Sequence, residues 1–136
     1  MVIAGLRKEI LDAIENGYTT FISGCSRGVD LWAASIVLEL RRTNKSLKLI
    51  CAVPFEGFES KWPPDWIKHY KMVRKQADWV EIICPEYTPD AYQKRNMWMV
   101  NRSSRLIAVW DGLPSGTKNT VDYAISQGVP VRIIDM

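Results

Sequence analysis

TTFISGCSRGVDLWAASIVLELRR, residues 19–42, carries two hydrophobic periods separated by a glycine-rich break, and that change of period decides the fold class. Thr19 to Ser23 is a short run suited to a strand. From Gly28 to about Arg42 the apolar positions Val29, Trp32, Ile36, Val37 and Leu40 follow helical spacing and cover much of the surface, as a helix pressed on a sheet requires. Upstream, Ile3, Leu6, Ile10 and Ile14 mark an amphipathic helix that Asn16-Gly17 can stop, because both residues tolerate left-handed backbone. Downstream the alternation continues. Leu47 to Val53 reads as strand. Pro63, Pro64 and Asp65 open a helix with the face Trp66, Tyr70, Val73 and Ala77, and Trp79 to Ile83 is strand again. Helix is expected over about Ala91 to Asn101, strand over Leu106 to Trp110, helix from about Thr120 to Gln127 with Gly128 after it, and a last strand over Val131 to Ile134.

Strands that are continuous apolar runs, each followed by a helix, belong to a parallel sheet covered on both faces, since parallel neighbours need long crossovers. The expected architecture is α/β: a Rossmann-like, doubly wound, mainly parallel five-stranded sheet with helices on both faces. One domain over residues 1–136 accommodates it, and a hydrophobic fraction of 47% suffices for its core.

Eighteen Lys and Arg against fifteen Asp and Glu give a net charge of +3, a mild anion preference far from a polybasic arm. Cys25, Cys51 and Cys84 form an odd set without metal-ligand spacing and read as reduced and structural. His69 is the sole histidine and reads as a packing or helix-surface residue, so no metal is assigned. The chain shows neither an apolar stretch of about 20 residues nor the pattern of a signal peptide, which makes the cytoplasm the expected location and a membrane partner unexpected.

In such a sheet every strand-to-helix loop emerges at the carboxyl edge, where open α/β folds bind ligands. Gly24-Cys25-Ser26-Arg27-Gly28 and Asp111-Gly112-Leu113-Pro114-Ser115-Gly116-Thr117 combine glycine with hydroxyl groups just before a helix, an arrangement that offers bare backbone N–H groups to a phosphate and equally suits plain helix capping. Neither is a dinucleotide fingerprint or a Walker A loop. The long loop Pro54 to Pro64 is either a functional flap or a cover whose Phe55, Phe58 and Trp62 pack down on the sheet.

The strings SGCSRGVDLWAA (Ser23 to Ala34), YQKRNMWMV (Tyr92 to Val100) and SGTKNTVDYA (Ser115 to Ala124) occur in an order that resembles the SLOG superfamily, in particular its YpsA-like bacterial branch. ICAVPFEGFESKW (Ile50 to Trp62) and SSRLIAVWDG (Ser103 to Gly112) extend the resemblance over essentially the whole chain. More distantly, the motifs are similar to those of the DNA-processing protein DprA and of the LOG phosphoribohydrolases. The resemblance implies a Rossmann-like fold and a nucleotide-like ligand, with nucleotide, NAD or ADP-ribose as candidates. Under it, Ser23, Gly24, Ser26, Arg27 and Gly28 form one wall of the site, and Ser115, Gly116 and Thr117 cradle a phosphate. Arg27 fits phosphate pairing or a solvated loop charge. Asp30 fits ribose binding or a place favoured by the helix dipole. Arg95 and Asn96 match the superfamily's Arg-containing motif, while Arg95 also reads as an ordinary exposed helical arginine.

Two departures bear on the carry-over. The branch usually begins with a strand and a Gly-His-Arg loop that this sequence does not contain, so a shortened product, a fragment or a sheet rearranged between subunits is expected, with weaker ligand affinity and a dimer formed through the exposed edges. The LOG enzymes carry a catalytic glutamate three residues after the threonine of their glycine-rich motif; here that place is Thr120, which is no carboxylate. Three functions stay open. They are a nucleotide-binding module acting as a sensor, a nucleotide hydrolase using Glu56, Asp111 or Asp122, and a DprA-like binder of single-stranded DNA. For the last, Trp62, Trp66 and Trp98 could stack bases, whereas Trp32, Trp79 and Trp110 read as core.

Overall fold

The structure is a computed structural model that describes residues 2–135. Ten elements alternate: α1 (Val2–Glu15), β1 (Thr20–Ser23), α2 (Val29–Arg41), β2 (Lys48–Val53), α3 (Pro64–Gln76), β3 (Trp79–Ile82), α4 (Ala91–Asn101), β4 (Leu106–Val109), α5 (Gly116–Ser126) and β5 (Val131–Ile134). Every strand pair is parallel. This is the Rossmann-like α/β arrangement that the alternating periods require.

The pairing departs from one continuous sheet. β1, β2 and β3 form a three-stranded sheet, β4 and β5 a two-stranded one, and no ladder joins β1 to β4. The two sheets still run the same way: Tyr18, before β1, donates its hydroxyl to the carbonyl of Ser104, before β4, at 3.3 Å. The Arg105 guanidinium also lies over the Tyr18 ring at 4.9 Å. The amino ends of β1 and β4 are therefore neighbours. Helices α1, α2 and α3 pack side by side, and α4 packs on α5.

The core is built where these layers meet the sheet, from Leu6 and Ile10 of α1, Leu31 and Val37 of α2, Leu49 and Val53 of β2, and Tyr70 and Val73 of α3. Leu6, Ile10, Val37, Tyr70 and Val73 follow the spacings read from the sequence and Leu49 and Val53 fall in the strand read there, whereas Leu31 lies outside the set read for its helix. The Pro54 to Pro64 loop is a cover: Phe58 is buried, edge-on to Trp62 at 5.0 Å and to Tyr70 at 5.3 Å. Burial pushes the Tyr70 phenol up to about 12. His69 packs as expected, stacked on Trp66 and within 2.7 Å of the Ser35 hydroxyl.

Two expectations are corrected. Trp79 is not core: β3 pairs only with β2, and its outer edge leaves the ring 61% exposed, with Nε1 donating to Glu81 at 3.0 Å. Helix α5 begins at Gly116, four residues before the apolar pattern starts. Ser115 caps it, its Oγ accepting the Lys118 N–H at 3.1 Å. No described helix is long and apolar enough to cross a membrane.

Asp78 ties three elements at the amino edge. Its Oδ2 accepts the Leu49 N–H at 2.8 Å and Arg41 Nη1 at 2.7 Å, while Arg41 Nη2 donates to the Gln76 carbonyl at 2.9 Å. The Leu49 N–H, with help from Arg41, holds the carboxyl below its usual range. A folded-state pKa below the unfolded value stabilises fully above about pH 4 and loses that contribution as the pH falls through the folded value. Asp78→Ala is expected to cost about 1 kcal/mol at pH 7, allowing for solvent screening. Urea titrations across pH check it: the deficit should shrink below pH 4, and a constant deficit would assign the loss to packing instead.

Candidate functional site

β1 ends in a tight loop that its own side chains shape. Ser23 Oγ donates to the Asp30 carbonyl at 2.9 Å and accepts the Cys25 N–H at 3.1 Å, and Asp30 Oδ2 accepts the Ser26 N–H at 3.3 Å. Between them Cys25, fully buried, takes the left-handed conformation at φ 59°. That conformation costs a non-glycine residue on the order of 1–2 kcal/mol. Gly28, at φ 90°, then opens α2.

Arg95 reaches this loop from α4. It is 5% exposed, its Nη1 donates to the Gly24 carbonyl at 2.6 Å, and its Nε donates to Asn96 Oδ1 at 2.8 Å. A Cβ at position 24 would lie 2.8 Å from Asp30 Oδ2 and 2.9 Å from Arg95 Nη1, so glycine is the residue that lets carboxylate and guanidinium close over the backbone. Burial raises the Asp30 carboxyl above its usual range, opposed by Arg95 and the Ser26 N–H. The same burial lowers the Arg95 guanidinium, opposed by Asp30. The two groups lie beside the same glycine.

A cavity of about 810 Å³ opens beside these groups, between β1 and β4. Ser23, Gly24, Ser26, Arg27 and Asp30 line it from the first loop, Arg95 and Asn96 from α4, and Gly116 and Thr117 from the start of α5. Nine residues singled out in the sequence thus lie around one space. Gly28 and Ser115 do not line it; each sits at the head of its helix as N-cap. Among the described residues, Ser26 Oγ, the Arg27 guanidinium, Arg95 Nη2 and Thr117 Oγ1 make no hydrogen bond to the protein, and the first residues of α5, Gly116 and Thr117, line the same cavity. Such a set can take an anion.

The carboxylates considered for hydrolysis are elsewhere. Glu56 pairs with Arg74 at 2.6 Å, Asp122 with Lys118 at 2.5 Å, and Asp111 accepts the Leu113 N–H at 2.9 Å; none lines the cavity. Thr120 does line it, with its hydroxyl turned back to the Gly116 carbonyl at 3.1 Å. Trp62 packs on Phe58, Trp66 tilts against Trp32, and Trp98 lies under Arg102 at 4.3 Å. None of these three rings lines the cavity. Sequence reasoning missed two contributors. Tyr92 lines the cavity with its ring 5.6 Å from the Arg95 guanidinium, and one turn of α4 between the two residues could have signalled it. The bend at Cys25 left no signal, because cysteine seldom takes that conformation.

Fold and cavity together define a Rossmann-like α/β domain with a polar recess at the carboxyl edge of parallel strands. Residues 1–134 match the profile of the YpsA family, described as the YspA SLOG family. The chain belongs to that family. It is similar to a UPF0398 protein of Bacillus cereus strain B4264, 31% identical over 126 residues that make up 90% of this chain and 68% of the relative. A UPF0398 protein of Bacillus thuringiensis strain Al Hakam is similar to the same extent, at 31% over 126 residues with the same shares.

Gly24→Ala is expected to destabilise the fold by about 1–3 kcal/mol, since the new methyl must displace a buried side chain held by a hydrogen bond. Thermal or urea unfolding checks it, and a neutral result would mean that the Arg95 contact yields without cost.

Proposed function

We propose that this domain binds a phosphate-bearing, nucleotide-like ligand at the carboxyl end of its parallel strands and acts as a binding module or sensor. The observation that carries the reading is the convergence of unpartnered donors at one end of one cavity: Ser26, Arg27 and Arg95 from two elements, and Thr117 with the N-terminus of α5 from a third. An anion gains there from both the backbone N–H groups and the helix dipole. Arg95 is pre-set by the Gly24 carbonyl and Asn96, so little side-chain entropy is lost on binding, whereas exposed Arg27 closes from outside. A cavity of about 810 Å³ has room for a nucleoside beyond the phosphate, and Asp30 is the carboxylate among its lining residues that a ribose could meet.

Binding without turnover fits the acid–base inventory. A hydrolase of the LOG kind needs a carboxylate beside the glycosidic bond, and Thr120 stands at that place with its hydroxyl engaged by the helix backbone. Membership of a SLOG family supports a nucleotide-related role in the same coarse terms.

A thermal-shift panel of AMP, ADP, NAD, ADP-ribose and inorganic phosphate tests the proposal, because a ligand that binds only the folded chain at 100 times its Kd adds about 2.7 kcal/mol of stability. At least one nucleotide should raise the midpoint by several degrees. Arg27→Ala, at an exposed position, should leave the unliganded midpoint unchanged and weaken that ligand about tenfold. Gly116→Val should abolish the shift: a Cβ at position 116 meets no protein atom within 4 Å, so the side chain occupies the space a phosphate needs. A folded protein that shifts with no nucleotide at millimolar concentration would end this reading.

A further inference from the structure

The opposite edge of the sheet, where the strands begin, carries a concentration of charge that the recess does not use. A trough of about 430 Å³ lies there, between the end of α2 and the start of β2, on the side of Asp78. Its charged lining is Arg41, Arg42, Lys45 and Lys48 against one carboxylate, that of Asp78. This local excess of three positive charges equals the net charge of the whole chain. The rest of the sequence is therefore electrically balanced, and the surplus is gathered at one place.

Arg41 and Asp78 are committed to each other and to the fold, through the 2.7 Å contact between them and the bond from Arg41 to the Gln76 carbonyl. The other three are free. Among the described residues, the side chains of Arg42, Lys45 and Lys48 make neither an ion pair nor a hydrogen bond, and all three are exposed. Cations at a helix end ordinarily answer the carbonyl groups left open there. Here the chain answers them itself: the Leu40 carbonyl accepts the N–H of Thr43 at 3.2 Å, the N–H of Asn44 at 3.0 Å and the Thr43 hydroxyl at 3.3 Å, and the Glu39 carbonyl accepts the Arg42 N–H at 3.2 Å. Lys48 opens β2 and stands at no helix end. Helix capping therefore leaves the cluster unexplained, and three like charges around one trough repel each other until an anion enters.

The space selects among anions. A trough of about 430 Å³ holds one small molecule. An acidic peptide brings one charge per side chain and a nucleic-acid strand one per nucleotide, so neither sets three charges within that space. Phosphoryl groups joined through bridging oxygens do. The fork of Arg42 suits two oxygens of one such group, and the ammonium groups of Lys45 and Lys48 act as point charges on the next. We propose that this trough is a second anion site, which takes two or three condensed phosphates in a row, either free or carried by a nucleotide. It lies at the other edge of the sheet from the recess and stands whether or not the recess binds a ligand.

The test is an amide NMR titration of the full chain with inorganic triphosphate at physiological salt. The amides of Arg42, Lys45, Lys48 and Asp78 should shift together and saturate. Lys45→Gln combined with Lys48→Gln, both at exposed positions without partners, should keep the fold and weaken the binding about tenfold or more. Arg27→Ala should leave these shifts unchanged, which separates this site from the recess. A parallel titration with ATP identifies the source: equal affinity supports free condensed phosphate, and tighter binding supports a nucleotide that carries it. Four results would overturn the proposal. They are no saturable shift at these amides in a folded protein at millimolar triphosphate; the same shifts from sodium sulfate at matched ionic strength, which reduces the effect to general screening; undiminished affinity in the double variant; and equal affinity for a single-stranded oligonucleotide of the same total charge, which assigns the cluster to a strand's backbone.

Discussion

Parallel neighbours run the same way, so the chain must travel the length of the sheet between one strand and the next, and it does so as a helix. Most of this molecule follows from that constraint. The crossovers α2, α3 and α5 supply the apolar layers, which is why the strands can be nearly continuous hydrophobic runs. The same constraint puts every strand-to-helix loop at one edge, so residues 71 positions apart, Gly24 and Arg95, can share a hydrogen bond. It also sets what happens when two edges are not joined. β1 and β4 keep a common direction and leave a recess between them.

The recess has two characters because two kinds of group end there. Along the strands it is apolar, with backbone edges for polar features. At the carboxyl end it holds a carboxylate and a guanidinium close together over one glycine, both driven toward neutrality by burial and each opposing that drive in the other. A buried pair of this kind contributes little net stability, because desolvation offsets attraction. Its retention makes better sense as positioning: Asp30 fixes the Ser26 N–H, Arg95 fixes the Gly24 carbonyl, and between them they hold a loop whose buried Cys25 sits in an unfavourable conformation.

Much of this was legible in the sequence, for identifiable reasons. The alternation of short apolar runs with helical spacing located all ten elements within a few residues, because burial leaves a pattern in the chain itself. Pairing leaves none. Nothing in Phe21 or Ile107 says which strand lies beside it, so the division into three and two strands had to come from the structure, as did the exposed place of Trp79 on the outer edge of β3. The late start read for α5 has a different origin: its first turn is set by the Ser115 cap, whereas apolar spacing reports only the buried part of a helix.

For the site, residue type and position before a helix sufficed to bring nine positions to one cavity, but not to tell inward from outward groups. Ser23 and Ser26 look alike in the sequence. In the structure the first hydroxyl is consumed by the loop and the second is free. Arg27 and Arg95 look alike as well, yet one is exposed and the other is locked in place, which divides their roles: the buried guanidinium shapes the recess whether or not a ligand is present, and the exposed one can respond to it. One fixed and one exposed cation beside the recess, with a threonine bound to its own helix at the place where the LOG enzymes carry glutamate, agree with the proposed holding of an anion.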